Sequence, residues 1–346
     1  MKSLIYYGPG KLQLEDRPIP TIGAQDALVK ITRAGICGTD LTAYRVGGIT
    51  TGILEKGQFG HDGQFGHEMA GVVEEVGQDV KDIKKGDRVF VIPTTCKRSG
   101  MLGCGIAGAF SEYVSVEDAA YGYNLLKIPD HASFDDAVII EPLAVGTHAK
   151  NNIHVMPYEN VVIYGAGIIG LCALTACLSA GCQKVVVADF NKDRLAKAAE
   201  LGGVGFDLGS KEDFKTFLEN HFGKVFNEFG MSCVDVDAFI DAAGASSIPN
   251  DIIHMAKKGA RLSIVAIHKK DAPMDAAEIL SKELLIKGSC GYTSHDLIEA
   301  FQHAVNKRTD IASIITHHFP HDKSLEAFTT ANDPATGAIK VVIDYE

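Results

Sequence analysis

The segment between residues 160 and 202 constrains the fold more than any other part of the chain. It reads as a buried strand, VVIYGAG, a long apolar helix, IIGLCALTACLSAG, a second buried strand, KVVVADF, and a second helix, KDRLAKAAELG. Strands that alternate with helices predict parallel β-α-β units. The alternation continues through VDAFIDAAG, PNDIIHMAKKG, ARLSIVAI and ELLIKGSCGY, so we predict an α/β domain with a doubly wound parallel sheet over residues 153–292.

The N-terminal third of the chain follows a different pattern. Residues 1–115 contain short apolar runs, among them ALVKITRAGI, MAGVVEEVG and FSEYVSV, and turn residues interrupt these runs, which predicts a β-rich domain. A helix, SHDLIEAFQHAVNK, and a last strand, AIKVVIDYE, follow the α/β region and could rejoin this domain. We therefore place one domain at residues 1–152, completed by residues 293–346, and a length of 346 residues agrees with about two domains.

Charge and composition exclude several classes of function. A formal net charge of -11 removes the electrostatic basis for binding phosphate backbones, so we expect no nucleic-acid partner. The N-terminus does not read as a signal peptide, and no apolar run approaches about 18 uncharged residues, so we expect a cytoplasmic protein without membrane contact. The eight cysteines are then expected as thiols, ligands or buried apolar residues, and Cys172 and Cys177 are predicted to pack in the core.

A glycine-rich fingerprint, GAGIIG, joins the first buried strand to the first long helix. Gly165 permits a tight turn, Gly167 lets the backbone approach a pyrophosphate, and Gly170 allows close contact between helix and strand. The N-terminus of the helix offers unpaired N–H groups to phosphates. The pattern predicts a Rossmann dinucleotide-binding domain, with Ile169 and, in ARLSIVAI, Val265 also expected at the cofactor site.

The end of the second strand indicates which dinucleotide is bound. Asp189 stands where a carboxylate accepts hydrogen bonds from the adenosine ribose hydroxyls and repels a 2′-phosphate. We therefore predict NAD rather than NADP. Arg194 is included in the predicted cofactor site, where it either packs near the adenine or lies in solvent.

Three separated motifs precede the fingerprint: GICGTD at residues 35–40, GHEMAGVV at residues 66–73, and EPL at residues 141–143. With these motifs the chain resembles the zinc-dependent medium-chain alcohol dehydrogenases, in particular their polyol and butanediol branch. The resemblance implies that the β-rich part is a GroES-like catalytic domain. It also implies one catalytic zinc held by Cys37, His67 and Glu141, with Glu68 either an alternating fourth ligand or a carboxylate close beside the metal.

The same resemblance implies a reaction and an assembly. Hydride would pass between NAD and a secondary alcohol, polyol or vicinal diol, with Thr39 and Glu68 as catalytic residues and a dimer or tetramer as the active form. Thr39 would accept the alcohol proton, although it could instead be a turn residue that bonds its own backbone. Many relatives have a histidine where this chain has Thr42, so the exit route of the proton stays open.

The stretch GQFGHDGQFGHE, at residues 57–68, contains the same histidine motif twice. Only the second copy runs directly into the apolar strand AGVVEEVG, as the family pattern requires, so His67 is assigned to zinc. His61 is then an extra loop histidine. Alternatively, His61 and Asp62 line the substrate entrance or relay protons.

The chain lacks the cysteines of a second metal site. Relatives often bind a structural zinc with four closely spaced cysteines after the GDRV strand, whereas only Cys96 and Cys104 follow that strand here. Two thiolates cannot complete a tetrahedral four-sulfur site, so we predict no structural zinc. Cys96 and Cys104 could then be free thiols, form a disulfide, or bind a metal shared between chains.

A further difference bears on the substrate. Sorbitol-type dehydrogenases tend to have an arginine before a tyrosine after the last Rossmann strand, and this chain has Gly291-Tyr292 there. Small, nearly neutral diols or hydroxyketones are therefore favoured, unless a cation is supplied from elsewhere by Arg45, Lys97 or Arg98.

Two rival functions are consistent with the nucleotide fingerprint. One is a zinc-free reductase of the quinone or enoyl type that uses NADPH, and the other is a non-catalytic nucleotide-binding protein of the same fold. Zinc-free reductases lack the set of Cys37, His67 and Glu141, which argues against the first rival.

Overall fold

The computed structural model describes residues 1–47, 63–95, 108–227 and 230–345. The chain divides into two compact units. The first unit comprises Met1–Glu141, Ala304–Lys307 and Ile315–Glu346, and the second comprises Pro142–His303 and Arg308–Ile314. The predicted domain limits at residues 152 and 292 stay predictions.

Within the described ranges, the first unit begins with seven strands and two helices. In chain order these elements are β1 (Lys2–Tyr6), β2 (Leu12–Asp16), β3 (Ala27–Gly35), α1 (Gly38–Val46), β4 (Glu68–Val76), β5 (Arg88–Val91), β6 (Tyr113–Val116), β7 (Leu125–Lys127) and α2 (Phe134–Val138).

The second unit alternates strands with helices, as predicted. Its elements are α3 (Ile140–Asn152), β8 (Asn160–Tyr164), α4 (Ile168–Ser179), β9 (Lys184–Asp189), α5 (Lys192–Glu200), β10 (Val204–Asp207), α6 (Phe214–Phe222), β11 (Lys224–Phe226), β12 (Ser232–Val234), β13 (Ala238–Asp241), α7 (Ile248–Met255), β14 (Arg261–Ile264), α8 (Ala276–Lys282), β15 (Leu285–Gly288) and α9 (Ser294–Val305). The first two residues of α3, including Glu141, and the last two residues of α9 belong to the first unit.

The remaining elements complete the first unit: β16 (Ile315–Pro320), α10 (Ser324–Asn332) and β17 (Lys340–Asp344). Short 3₁₀ helices lie at Pro93–Thr95, His321–Lys323 and Pro334–Thr336 in this unit, and at Ile311–Ile314 in the second unit. No helix in the described ranges has the length and apolar character needed to cross a bilayer.

The main sheet of the first unit has the strand order β16-β17-β3-β4-β5-β7, and β6 also pairs with β3. Its pairs are antiparallel except β16 with β17, which run parallel. The long strand β3 lies between β17 and β4, and its last residue, Gly35, is paired with Val342 on one side and Glu68 on the other. This register brings three distant segments of the chain to one point.

Aromatic residues fill the interior of the first unit near this point. The rings of Phe65, Phe110 and Phe328 are all buried, and their centroids lie 4.7–5.6 Å apart. Gly66 follows with φ +94°, and a Cβ there would lie 2.7 Å from the ring of Phe110. A glycine is required at this position because a side chain would meet both unfavourable backbone geometry and the ring. The chain can therefore turn from the aromatic core directly into His67.

The sheet of the second unit is parallel and has the order β10-β9-β8-β13-β14-β15. The chain starts at β8, adds β9 and β10 on one side, and then returns to add β13, β14 and β15 on the other. The strand order therefore reverses between β8 and β13, where such sheets bind dinucleotides. Helix α4 is buried almost throughout, and Cys172 and Cys177 pack inside as predicted.

Candidate metal centre and dinucleotide site

Cys37 caps the N-terminus of α1. Its sulfur accepts a hydrogen bond from the Thr39 N–H at 3.5 Å, and its own N–H donates to Asp40 Oδ2 at 2.9 Å. These reciprocal bonds form a capping box, in which a cysteine takes the position usually held by serine or threonine. The helix start therefore fixes the position of the thiol.

His67 and Glu68 come to the thiol from the next strand of the sheet. His67 directly precedes β4, and Glu68 begins that strand opposite Gly35 of β3. Ligand atoms of Cys37, His67 and Glu68 all lie within 4.8 Å of one another. A zinc ion with ligands at about 2.0–2.3 Å would draw such atoms slightly closer together. The three side chains are thus arranged as a sulfur, nitrogen and oxygen donor cluster, and His67 and Glu68 are almost fully buried.

Lys340 of β17 completes this cluster with a positive charge. It is 1% exposed, its ammonium forms a salt bridge with Glu68 Oε2, and it donates to the Ile36 carbonyl oxygen at 3.0 Å. Burial lowers the pKa of Lys340, but Glu68, Cys37 and Glu141 together raise it more, so the net shift is upward. The ammonium ion is therefore retained in the interior and holds the Glu68 carboxylate in place.

Gly35 supplies the space for this ion pair. A Cβ at residue 35 would lie 2.0 Å from Glu68 Oε2 and 2.8 Å from Lys340 Cε. No side chain fits at those distances. The glycine at the end of β3 is therefore a steric requirement of the cluster.

Asp40 lies on the other side of His67. It is fully buried, and its Oδ1 is 3.8 Å from His67 Nδ1. Burial raises the pKa of Asp40 to about 6, and the attraction to His67 offsets part of this rise. The Asp40 carboxyl group therefore interacts electrostatically with the imidazole of His67.

Glu141, the third predicted ligand, is near the start of α3 and is 5% exposed. Burial raises the pKa of Glu141 to about 7, while His67 lowers it and Glu68 raises it. The Glu141 carboxyl therefore interacts electrostatically with the cluster. The group whose ligand atoms lie within 4.8 Å of one another does not include it, so its role as a ligand stays a prediction.

The predicted proton acceptor lies beside the cluster. Thr39 is half-buried in the first turn of α1, next to Cys37, and its role stays a prediction. The Thr42 hydroxyl donates to the Gly38 carbonyl oxygen at 2.9 Å, which is a bond within the helix. Several residues singled out in the sequence lie outside the described ranges: His61, Asp62, Cys96, Lys97, Arg98 and Cys104.

The glycines of the fingerprint have distinct steric roles. Gly165 has φ +97°, and a Cβ at Gly170 would lie 1.8 Å from the Gly165 carbonyl oxygen. Gly167 is the N-cap of α4, and a Cβ there would meet nothing within 4 Å. The first and third glycines are thus required by the turn itself, while the second leaves open space above the helix N-terminus.

Asp189 is held rigidly beside that turn. Its Oδ2 accepts from the Ala166 N–H at 2.7 Å, and its Oδ1 accepts from the Asn191 N–H at 2.8 Å. Each carboxylate oxygen has a second lone pair available for another donor. The carboxylate is therefore fixed at the carboxyl end of β9, next to the fingerprint.

The other predicted cofactor residues belong to the same unit. Arg194 lies in the first turn of α5 and Ile169 in the first turn of α4, while Val265 follows β14 and donates its N–H to the Asp241 carbonyl oxygen at 3.0 Å. Their contacts with a cofactor stay predictions.

Sequence reasoning missed Lys340, Asp40 and the steric role of Gly35. Lys340 carried one signal, because a lysine inside the apolar strand AIKVVIDYE is unusual and a buried charge requires a partner. Asp40 stands three residues after Cys37, which is the spacing of a capping box. The pairing of Lys340 with Glu68 depends on sheet register and had no local signal.

Two family models match the chain. The alcohol dehydrogenase GroES-like domain matches residues 23–130, and the zinc-binding dehydrogenase model matches residues 169–306. Sorbitol dehydrogenase from Homo sapiens is 30% identical over 347 residues, which cover 95% of this chain and 92% of that protein. L-threonine 3-dehydrogenase from Pseudoalteromonas atlantica is 28% identical over 361 residues and is covered in full, as is this chain.

A solved structure shows the same architecture. The crystal structure of 2R,3R-butanediol dehydrogenase from Bacillus subtilis matches with a TM-score of 0.86 at 24% identity and covers 99% of both chains. The predicted combination of a GroES-like β-rich part with a Rossmann parallel sheet is therefore confirmed.

Substitution of Gly35 tests the packing of the cluster. Gly35→Ala should lower the free energy of unfolding by about 1–3 kcal/mol, because the added methyl group displaces Glu68 and Lys340 from a close-packed interior. Gly38→Ala is the matched control, since a Cβ there meets nothing within 4 Å. Urea unfolding followed by fluorescence or circular dichroism measures both. Equal stability of the two variants would contradict the packing described for Gly35.

Proposed function

The chain belongs to the zinc-dependent medium-chain alcohol dehydrogenase family, and from this premise we propose that it transfers hydride between NAD and a secondary alcohol, polyol or vicinal diol. The proposal rests on the ligand atoms of Cys37, His67 and Glu68, which all lie within 4.8 Å of one another. Relatives named for sorbitol, threonine and butanediol support a small hydroxylated substrate. The absence of an arginine before Tyr292 favours small, nearly neutral diols or hydroxyketones.

One zinc ion is proposed to bind Cys37, His67 and Glu141, with Glu68 either an alternating fourth ligand or a carboxylate close beside the metal. A thiolate, an imidazole and a carboxylate are a donor set that zinc accepts, and three protein ligands leave one position open, as in catalytic rather than structural sites. The bond of Glu68 to Lys340 supports the position beside the metal, because Lys340 offsets its charge. When bound, zinc would supply a Lewis acid for the alcohol oxygen.

The side chains around the metal have separate proposed roles. The Thr39 hydroxyl accepts the proton of the alcohol and passes it outward. Asp40 orients the His67 ring through their contact at 3.8 Å, and Lys340 holds Glu68 in the position that the strand register gives it.

The two rival functions differ in what they demand of the cluster. A zinc-free NADPH reductase or a non-catalytic nucleotide-binding protein has no use for a buried thiol, imidazole and carboxylate at one point. Burying a charged pair such as Glu68 and Lys340 carries a desolvation penalty of several kcal/mol per ion. The presence of these groups at one buried point therefore supports the zinc-dependent reaction over both rivals.

The duplicated motif provides a matched pair of variants for the metal assignment. His67→Ala should reduce bound zinc from about one per chain to near zero and remove NAD-dependent oxidation of C4 to C6 diols and polyols, because one ligand is lost. His61→Ala removes the corresponding histidine of the first copy and should retain both. Metal analysis by mass spectrometry and a spectrophotometric assay measure the outcome. Loss of zinc in His61→Ala alone would reverse the assignment, and a wild-type protein without zinc or turnover would support the non-catalytic rival.

NAD is proposed as the cofactor because of Asp189. Asp189→Ala should lower the ratio of kcat/KM for NAD to kcat/KM for NADP about tenfold or more, since a hydrogen bond to the ribose is lost and repulsion of the 2′-phosphate is relieved. Asp207→Ala is the control, because Asp207 ends the neighbouring strand β10 directly opposite Asp189. An unchanged ratio in Asp189→Ala would exclude Asp189 as the specificity residue.

Self-association is also proposed, as a dimer or tetramer. Strand β15 is the last strand of the parallel sheet in the described chain, and Leu285 of this strand and Leu280 of α8 are 46% and 79% exposed. An open strand edge flanked by apolar side chains suits pairing with the same edge of a second copy.

Light scattering coupled to gel filtration tests this interface. Leu285→Lys should shift the protein toward a smaller species, because two lysines would meet across a symmetric contact. Leu325→Lys, at a leucine of α10 that is 48% exposed, should leave the molar mass unchanged. A monomeric wild-type protein, or an assembly unaffected by Leu285→Lys, would refute the interface.

A further inference from the structure

Asp241, at the carboxyl end of β13, lies at the centre of a hydrogen-bond network in the second unit. Its side chain is fully buried. Oδ1 accepts from the N–H groups of Ala243 at 3.0 Å and Gly244 at 2.9 Å, and Oδ2 lies 2.7 Å from His268 Nε2. An ionised carboxylate only accepts hydrogen bonds, so Nε2 of His268 carries a proton.

The backbone of Asp241 reinforces the same connection. Its carbonyl oxygen accepts from the N–H groups of Val265 and Ala266, both at 3.0 Å. The turn at residues 242–244 is also packed against the segment at residues 265–268, because a Cβ at Gly244 would lie 3.0 Å from the Ile267 carbonyl oxygen. Asp241 therefore connects the turn at residues 242–244 with the segment at residues 265–268, and together these two segments form one continuous wall.

This wall adjoins the dinucleotide fingerprint. A Cβ at Gly165 would lie 3.1 Å from the backbone of Ala242 and 3.1 Å from the side chain of Ala243. The fingerprint follows β8, and Asp189, the predicted ribose ligand, ends β9 on one side of it. A dinucleotide that crosses the point of strand reversal must place its second nucleoside on the other side, over the ends of β13 and β14. Asp241 ends β13, and His268 follows β14.

The second ring nitrogen of His268, Nδ1, lacks a partner within the described part of the protein. Nδ1 is buried and has no hydrogen-bond partner within the described ranges, although buried polar atoms are nearly always paired. In the neutral ring with its proton on Nε2, Nδ1 is an acceptor. The nicotinamide nucleoside carries matching donors in its ribose hydroxyls and its carboxamide N–H group.

We propose that His268 contacts the nicotinamide half of the dinucleotide and that Asp241 is the positioning residue that fixes the ring and its tautomer. This inference rests on the proposed function, because it requires a nicotinamide dinucleotide in the second unit. Neither residue belongs to the glycine fingerprint or to the metal cluster.

Calorimetric titration of the full chain with NAD and with ADP separates this role from general support of the fold. ADP contains the adenosine and pyrophosphate but lacks the nicotinamide nucleoside. His268→Ala should weaken NAD binding about tenfold, the loss expected for one hydrogen bond and its associated packing, and leave ADP binding unchanged. His268→Gln should restore most of the NAD affinity, since an amide can donate to Asp241 and also accept a bond.

Two further variants sharpen the test. Asp241→Asn keeps an oxygen that accepts from Ala243 and Gly244, but it presents an amide N–H group to His268. The proton of the His268 ring then moves from Nε2 to Nδ1, so Nδ1 can no longer accept a hydrogen bond. NAD binding should therefore weaken while ADP binding stays constant. His254→Ala is the control, because His254 is a histidine of the same unit whose ion pair with Asp275 is 3.8 Å long and lies at the far end of α7. It should bind both nucleotides as the wild type does.

Equal weakening of NAD and ADP in His268→Ala, or weakening of neither, would overturn the inference. The glutamine variant keeps the test valid if the alanine variant is unstable, because its NAD to ADP affinity ratio should stay close to that of the wild type. A wild-type chain that binds ADP and NAD equally would also refute the role of His268. Failure of the proposed reaction would give a different result: the chain would contain no zinc or would not oxidise alcohols, while its nucleotide binding stayed intact.

Discussion

The buried ion pair between Glu68 and Lys340 is the interaction on which the candidate metal centre depends. Both side chains are withdrawn from water, so neither charge is tolerable without the other. The pair lies where β4 and β17 flank the end of β3, and Gly35 leaves room for it. The sheet, the missing side chain at residue 35 and the donor cluster are consequences of one packing arrangement.

The electrostatics of the cluster are consistent with a site that receives a cation. Asp40 and Glu141 are buried near His67, and burial raises the pKa of both groups. Carboxyl groups that are destabilised as anions in this way gain from a positive charge placed among them. A divalent cation therefore fits the chemistry of the residues present, and Lys340 alone does not neutralise the whole set.

Much of the architecture was predictable from local sequence. The alternation of strands and helices after residue 150 predicted the parallel sheet, because hydrophobic periodicity is a local property, and the glycine fingerprint located its ligand-binding end. Cys37 and His67 were identifiable from short motifs. Lys340 was not paired in advance with Glu68, since the contact depends on the register of β17 against β3, which is set by the whole sheet. Asp241 and His268 were missed for the same reason, as their contact joins loops after two different strands. The roles of Glu141 and Thr39 stay predictions.

The most direct test of the central claim is X-ray absorption spectroscopy at the zinc edge on the purified, zinc-loaded chain. We expect about one zinc per chain with a single sulfur neighbour at about 2.3 Å and the remaining neighbours nitrogen or oxygen at about 2.0–2.2 Å. A coordination shell with four sulfurs, or one without sulfur, would contradict the assignment of Cys37, His67 and the buried carboxylates to one metal.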